Sequence, residues 1–258
     1  MTQEQNPSPY RGATGVPGTS PMPGAPPIPG VRATPSSLGV VPDARLSAAF
    51  LSQAFVWMFA GLLVTAGVAA VVQSNERLLD FAQGSFFLLM IGQLALVVAI
   101  SAAIGRISAS LALLLFFVYA ASLGVTIGLI VSLYTTGSVV SAFLGASAMF
   151  GAAAVYGAVT GRSLAGLGGY LFVGLIGVIV ASVLNIFLQS SGVTWIISIV
   201  GVVLFTALTA YDVQRIKSGN LAAATGSMEK AAVIGALQLY LDFINLFLFM
   251  LRLVGGRN

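Results

Sequence analysis

Asp242 lies in the middle of an apolar stretch that should exclude it. From Ala231 to Leu251 the chain reads AAVIGALQLYLDFINLFLFML, 21 residues with no other charge. That is long enough to cross a bilayer at about 1.5 Å per residue. A carboxyl at the centre of such a helix costs about 2.5–3.5 kcal/mol on insertion, so it marks a candidate site. Gln238, Asp242 and Asn245 follow at steps of four and three, with Gly235 before them and Arg252 seven residues after Asn245. Helical periodicity puts all five on one face. The other faces carry Leu, Phe, Ile, Val and Met, so the polar stripe must face other helices or a water-filled path. A second acid, Asp212, ends the preceding apolar stretch and continues a line of threonines, Thr206 and Thr209, at steps of three.

Carboxylates and carboxamides are hard oxygen donors, the ligands Ca²⁺ prefers. Asp212, Asp242, Asn245 and Gln238 therefore form a candidate ion and proton pathway, with the two aspartates as candidate Ca²⁺ contacts. Two acids brought together would share a proton and titrate as a coupled pair. The chain has no histidine and no cysteine. Carboxylates are thus the groups left to sense pH near neutrality, and thiol chemistry, disulfides and His/Cys zinc sites are excluded. The rival reading of the stripe is a buried polar network that locks helices together. For Asp212 the rival is a helix-end residue in the headgroup zone, paired with Arg215. Arg106, in AIGRIS at the end of another apolar stretch, is a candidate latch on Asp212 or else a plain interfacial anchor.

These residues need helices to carry them. Hydrophobic residues make up 58% of the chain and charged residues 7%, against globular averages of about 45–50% and 25%. Seven membrane spans are predicted: Phe50–Val72, Phe86–Ile104, Ala109–Ser132, Val139–Val159, Gly169–Leu188, Val193–Tyr211 and Ala231–Leu251. The fold class is an all-α polytopic membrane protein. All ten prolines lie within the first 42 residues, which predicts a disordered Pro/Gly-rich tail over residues 1–44 ahead of a membrane domain over 45–258. The tail has no basic start followed by an apolar core, so it does not read as a signal peptide.

With the N-terminus inside, Arg11, Arg32, Arg45, Arg106, Arg162, Arg215, Lys217 and Lys230 fall on the cytoplasmic side and only Arg77, Arg252 and Arg257 outside. That excess favours a cytoplasmic N-terminus. A re-entrant last segment would bring the final two arginines back inside. The basic residues are scattered singly, without an aromatic-interleaved patch, so nucleic acid is not an expected partner. The expected partners are the lipid bilayer, calcium ions and protons.

FTALTAYDVQRIK, followed by a polar loop and ALQLYLDFINLFLFMLRLVGG, resembles the signature of the Bax inhibitor-1 (transmembrane Bax inhibitor motif) family. The similarity runs over roughly Ala44–Gly256 and includes LALVVAIS and RIS near the end of the second span. It implies seven helices, six of them surrounding the last, and a pH-sensitive calcium leak controlled by two buried aspartates. Asp212 in AYDVQ and Asp242 in LYLDFIN match those aspartates, and Arg106 is a weaker match to the arginine that latches the closed state. Gln93 stands where an acid is often found. The resemblance also implies a bacterial member in the plasma (inner) membrane.

Two other classes were weighed. Intramembrane aspartyl proteases also place two aspartates on late helices, the first within Tyr-Asp. Here the second sits in Leu239-Tyr240-Leu241-Asp242 rather than GxGD, and no proline follows Pro42. The chain therefore does not read as an enzyme, and no resident cofactor is expected, Ca²⁺ being the transported ion. The remaining alternative to the leak is a non-conducting membrane regulator that binds a protease or another membrane protein.

Overall fold

The computed structural model describes residues 44–256; the predicted tail lies outside these except for Ala44, which opens the first helix. The described chain is helical with no strand: α1 Ala44–Gln73, α2 Glu76–Gly84, α3 Phe86–Ala103, α4 Ala109–Val131, α5 Thr136–Val159, α6 Gly168–Leu188, α7 Ser191–Lys217, α8 Asn220–Thr225 and α9 Met228–Val254. Seven of these are long and apolar enough to cross a membrane, as the composition requires. The turns between them are tied down by side chains. Ser108, Thr135, Ser190 and Ser227 each accept a hydrogen bond from a backbone N–H in the first turn of the helix that follows. Each such cap is worth about 1 kcal/mol.

Helix α9 is the core. Of its apolar stretch 72% is buried inside the bundle, against 11–44% for the other six spans. It packs chiefly against α1, α4, α5 and α7, whereas α3 leans on α4 and α6 on α7. The six spans thus surround the last in two tiers. The outer tier turns Phe87, Leu88, Ile91 and Leu94 of α3, and Phe172, Val173 and Phe187 of α6, away from the protein. Apolar faces of that kind suit hydrocarbon, where a helix bonds the backbone groups of its interior to one another. On the opposite side of α9, Tyr240 is fully buried. Its hydroxyl lies 2.6 Å from Thr65 Oγ1, which in turn reaches the Ala120 carbonyl at 2.9 Å. One cluster therefore ties α1, α4 and α9 together.

The last helix crosses the bundle completely. At its start Lys230 Nζ donates to the Gly105 carbonyl, in the turn between α3 and α4. Beyond its end, Gly256 N–H donates to Ser138 Oγ at 2.8 Å and Thr135 N–H donates to the Gly256 carbonyl at 3.2 Å, both at the turn between α4 and α5. Those turns lie at opposite ends, so the segment is not re-entrant, and Arg252 lies at the end away from Lys230.

Two predicted breaks contain helix. QSNERLLDFAQGS folds into α2, started by Asn75, whose side chain accepts from the N–H groups of Arg77 and Leu78, and anchored by the buried Ala82. The loop before α9 holds α8, bounded by Gly219 and Gly226 at φ of 73° and 76°, a left-handed conformation that glycine adopts without a Cβ clash. Helix α7 also outruns its predicted end at Tyr211. Val213 and Ile216 are buried, Gln214 bonds both the Arg162 carbonyl and the Leu164 N–H, and Lys217 Nζ donates to the Ala158 carbonyl. Asp212 is therefore inside the helix and not at its frayed end.

The close approach of α5 to α7 depends on Gly157, where a Cβ would run into the Ala210 carbonyl. Gly157→Ala is expected to lower bundle stability by about 1–3 kcal/mol, the usual overpacking cost. Gly177, with nothing within 4 Å of an added Cβ, should accept alanine without loss. Thermal unfolding of the two variants in detergent measures the difference.

Candidate functional site: a buried aspartate pair in a cavity

Helices α7 and α9 run antiparallel with Gly235 opposite Ile216 and Gly201 opposite Phe249. That register puts Gln238 level with Asp212 and Asp242 about one turn farther along α9. With α6 they border a partly open cavity of about 490 Å³, lined among others by Tyr211, Asp212, Arg215, Gln238, Asp242 and Asn245. At about 30 Å³ per water, it has room for on the order of a dozen waters. The stripe expected on α9 is thus present, and Gln238, Asp242 and Asn245 line one space with Asp212. Gly235 lies instead against Ile216 and Ala54, and Arg252 sits over the Phe249 ring at 5.7 Å.

Asp212 is 7% exposed and Asp242 4%. The charge that acts most strongly on Asp242 is the other aspartate. Elsewhere the buried polar groups are satisfied. Thr65, Gln93, Thr126, Ser198, Thr209 and Thr225 are all hydrogen-bonded, and among the described residues only the two aspartates are buried polar side chains without such a bond. Asp242 Oδ2 and Gln238 Oε1 are fully enclosed and have no partner. Asn245 uses its Nδ2 on the Leu241 carbonyl at 2.8 Å, which leaves its oxygen uncommitted. A buried polar atom without a partner costs about 1–3 kcal/mol, so a network serving only as helix glue would pair these oxygens with one another. Their residues line a cavity instead, with the unpaired oxygens buried in its wall.

Several expectations need correction. Thr206 and Thr209 do not extend a polar path: their hydroxyls bond back to the Val202 and Phe205 carbonyls of their own helix. Arg106 does not latch Asp212. It is exposed in the turn after α3, the turn that meets Lys230, and no ion pair joins it to Asp212. The physical reason is that α3 packs on α4, in the outer tier, and not on α7. The guanidinium that lines the cavity with Asp212 is Arg215, one turn along the same helix, though the two form no direct ion pair. Gln93 lies outside the cavity, donating to the Ser122 carbonyl and Thr126 Oγ1, both at 2.9 Å. Tyr211 was missed as a site residue. A Cβ on Gly168 would stand 2.7 Å from its hydroxyl, so the ring closes against the first residue of α6. The i to i+4 step from Tyr211 to Arg215 was the available signal.

The cavity ends one turn beyond Asn245. There Phe249 packs on Phe205 with ring centroids 5.9 Å apart, in the space left by Gly201, while Leu246 and Leu251 are fully buried. At the other end, Tyr211 and Arg215 separate it from a second basin near Arg162.

A family model described as "Inhibitor of apoptosis-promoting Bax1" matches residues 47–258, nearly all of the helical bundle. The chain belongs to the Bax inhibitor-1 family. This family member is 39% identical over 225 residues to the inner membrane protein YbhL of Escherichia coli K12, covering 85% of this chain and 96% of that one. It is 43% identical over 214 residues to an uncharacterized protein of Borreliella burgdorferi, covering 81% and 92% of the two chains. A membrane protein of Streptococcus pyogenes serotype M3 is 39% identical over 163 residues, covering 63% and 71%.

If the cavity oxygens are not packing glue, removing one should cost nothing. Gln238→Leu is expected to leave the thermal unfolding temperature unchanged or raise it, because an unpaired buried oxygen disappears. Thr65→Val, at a bonded position, should lower stability by about 0.5–1.5 kcal/mol. Parallel melts in detergent compare the two, and a Gln238→Leu loss as large as that of Thr65→Val would return the stripe to a structural role.

Proposed function

We propose that this Bax inhibitor-1 family member is a pH-sensitive calcium leak of the bacterial inner membrane, with its N-terminus in the cytoplasm and its flux controlled by Asp212 and Asp242. One observation carries the reading: among the described residues the buried side-chain polar atoms without a hydrogen bond are Gln238 Oε1 and Asp242 Oδ2, and both residues line a cavity with Asp212 and Asn245. Unpaired oxygens buried in the wall of a cavity are donors that a small side-chain movement would offer to an occupant. The inner membrane assignment follows the name of the Escherichia coli relative and the Lys/Arg bias.

The donor set also suits passage better than storage. Ca²⁺ takes six to eight oxygens, whereas the cavity offers two carboxylates and two carboxamides, so water must complete the shell. Among the described residues there is no group of three or more acidic, histidine or cysteine side chains that could hold a metal tightly. A conducting site must release its ion, and a thin protein shell does so. A proton shared by the pair competes with the cation for the same oxygens, which makes the flux respond to pH. On this reading the conformation is a closed one, with the packed rings of Phe205 and Phe249 as its apolar seal. The second aspartate lies in Leu239-Tyr240-Leu241-Asp242 and not in a GxGD motif, so we read the pair as part of a channel and not of an aspartyl protease.

Calcium efflux from proteoliposomes across pH 6 to 8 tests this directly. Wild type should show pH-dependent flux, and Asp242→Asn should lose that dependence while remaining folded. Phe249→Ala, which opens the apolar seal, should raise flux several-fold at every pH. If none of the three folded proteins passes calcium, the conduction reading falls and the regulator that binds another membrane protein takes its place.

A further inference from the structure

A second cavity, of about 420 Å³, opens between the loop joining α5 to α6, the end of α7 and the start of α8, and its lining includes Arg162, Ser163, Gln214, Arg215, Ser218 and Asn220. The charges here are of one sign. Two guanidiniums line the basin and no carboxylate does; the acid that acts on Arg215 is Asp212, in the neighbouring cavity. The basin is also built rather than incidental. Gln214 holds the loop, donating to the Arg162 carbonyl at 2.8 Å and accepting from the Leu164 N–H at 2.6 Å, and the buried Leu164 anchors it. Both hydrogen-bonding ends of Gln214 are therefore used, and Ser218 Oγ donates to the Arg215 carbonyl at 3.1 Å. What remains is donors: the two guanidiniums, the Asn220 amide and the Ser163 hydroxyl, which accepts from Ala165 N–H at 3.4 Å and keeps its own proton.

We infer that this basin binds a phosphate-type anion. Paired arginine forks suit phosphate oxygens, each fork presenting parallel N–H groups to two oxygens at once, and a charge-assisted bond of this kind is about twice as strong as a neutral one. The occupant's chemistry is shared by two sources. The basin lies at the end of α7, a helix long and apolar enough to cross a membrane, so the phosphate can belong to an anionic lipid, or it can be a free phosphate in solution. Arg215 also lines the neighbouring cavity and lies within the field of Asp212, whereas Arg162 lines this basin alone, and the site does not require that the chain conduct.

Ligands that bind only the folded state raise its unfolding temperature. The full-length protein in detergent should therefore be stabilised, saturably, by inorganic phosphate at constant ionic strength or by phosphatidylglycerol in mixed micelles. Chloride and phosphatidylcholine should not do so. Arg162→Gln, a change at an exposed side chain remote from the aspartates, should weaken the apparent affinity at least about tenfold, and Arg215→Gln should do the same. Stabilisation by phosphate alone identifies a soluble anion, and stabilisation by phosphatidylglycerol alone a lipid headgroup; either supports the site. No stabilisation by either probe, or stabilisation that persists in the Arg162→Gln/Arg215→Gln double variant, overturns it.

Discussion

Everything in this bundle depends on keeping one carboxyl away from lipid. A helix with Asp242 at its middle, Gln238 a turn before and Asn245 a turn after, has no stable place at a hydrocarbon surface. It becomes tolerable only when walled on all sides, and α1, α4, α5 and α7 supply the wall. The small residues follow from that demand. Gly157 lets α5 approach the backbone of α7, Gly201 makes room for Phe249, and Gly61 leaves space for Phe116 beside Tyr240. In lipid there is no hydrophobic pull between helices, so such close contacts supply the cohesion.

The two sides of α9 treat polarity differently. On one side Tyr240 meets Thr65, and Thr65 meets a backbone carbonyl, so every group is answered and the contact is a bolt. On the other side lie the aspartates, unanswered. A helix locked on one face and open on the other can hold an ion-coordinating surface steady, because the stiffness comes from residues that do not touch the ion. Rigid support behind a site is what keeps its donors in place.

Much of this was legible in the residues. The apolar runs marked seven spans, and a step of four then three on an otherwise apolar helix put Gln238, Asp242 and Asn245 on one face. Periodicity describes a helix by itself, however, and says nothing about its neighbours. Arg106 therefore looked available to Asp212 until α3 proved to belong to the outer tier. Thr206 and Thr209 looked like a path, but a hydroxyl inside a helix can bond its own i−4 carbonyl and leave the line. Hydropathy placed the end of α7 at Tyr211, where the apolar run stops. Val213 and Ile216 nevertheless face the core, and Gln214 and Lys217 are held by the preceding loop and helix, so the coil continues past its last apolar run. Tyr211 and Arg215 are wall residues for the same reason: their positions follow from α6 and the loop before it, which no pattern within α7 encodes.

The helix at the centre is made after the six that surround it. Ribosomes work at about 5–20 residues per second, so the 37 residues that follow Lys217 up to Val254 take roughly 2–7 s to appear. During that interval six helices share the membrane without the element that fills their core. The polar cargo of α9 makes it a poor candidate to enter lipid alone, so its insertion and the closing of the bundle become one event. Biogenesis would then report on the site: a chain stalled before α9 leaves an unfilled set of walls, exposed to whatever membrane quality control patrols the bilayer.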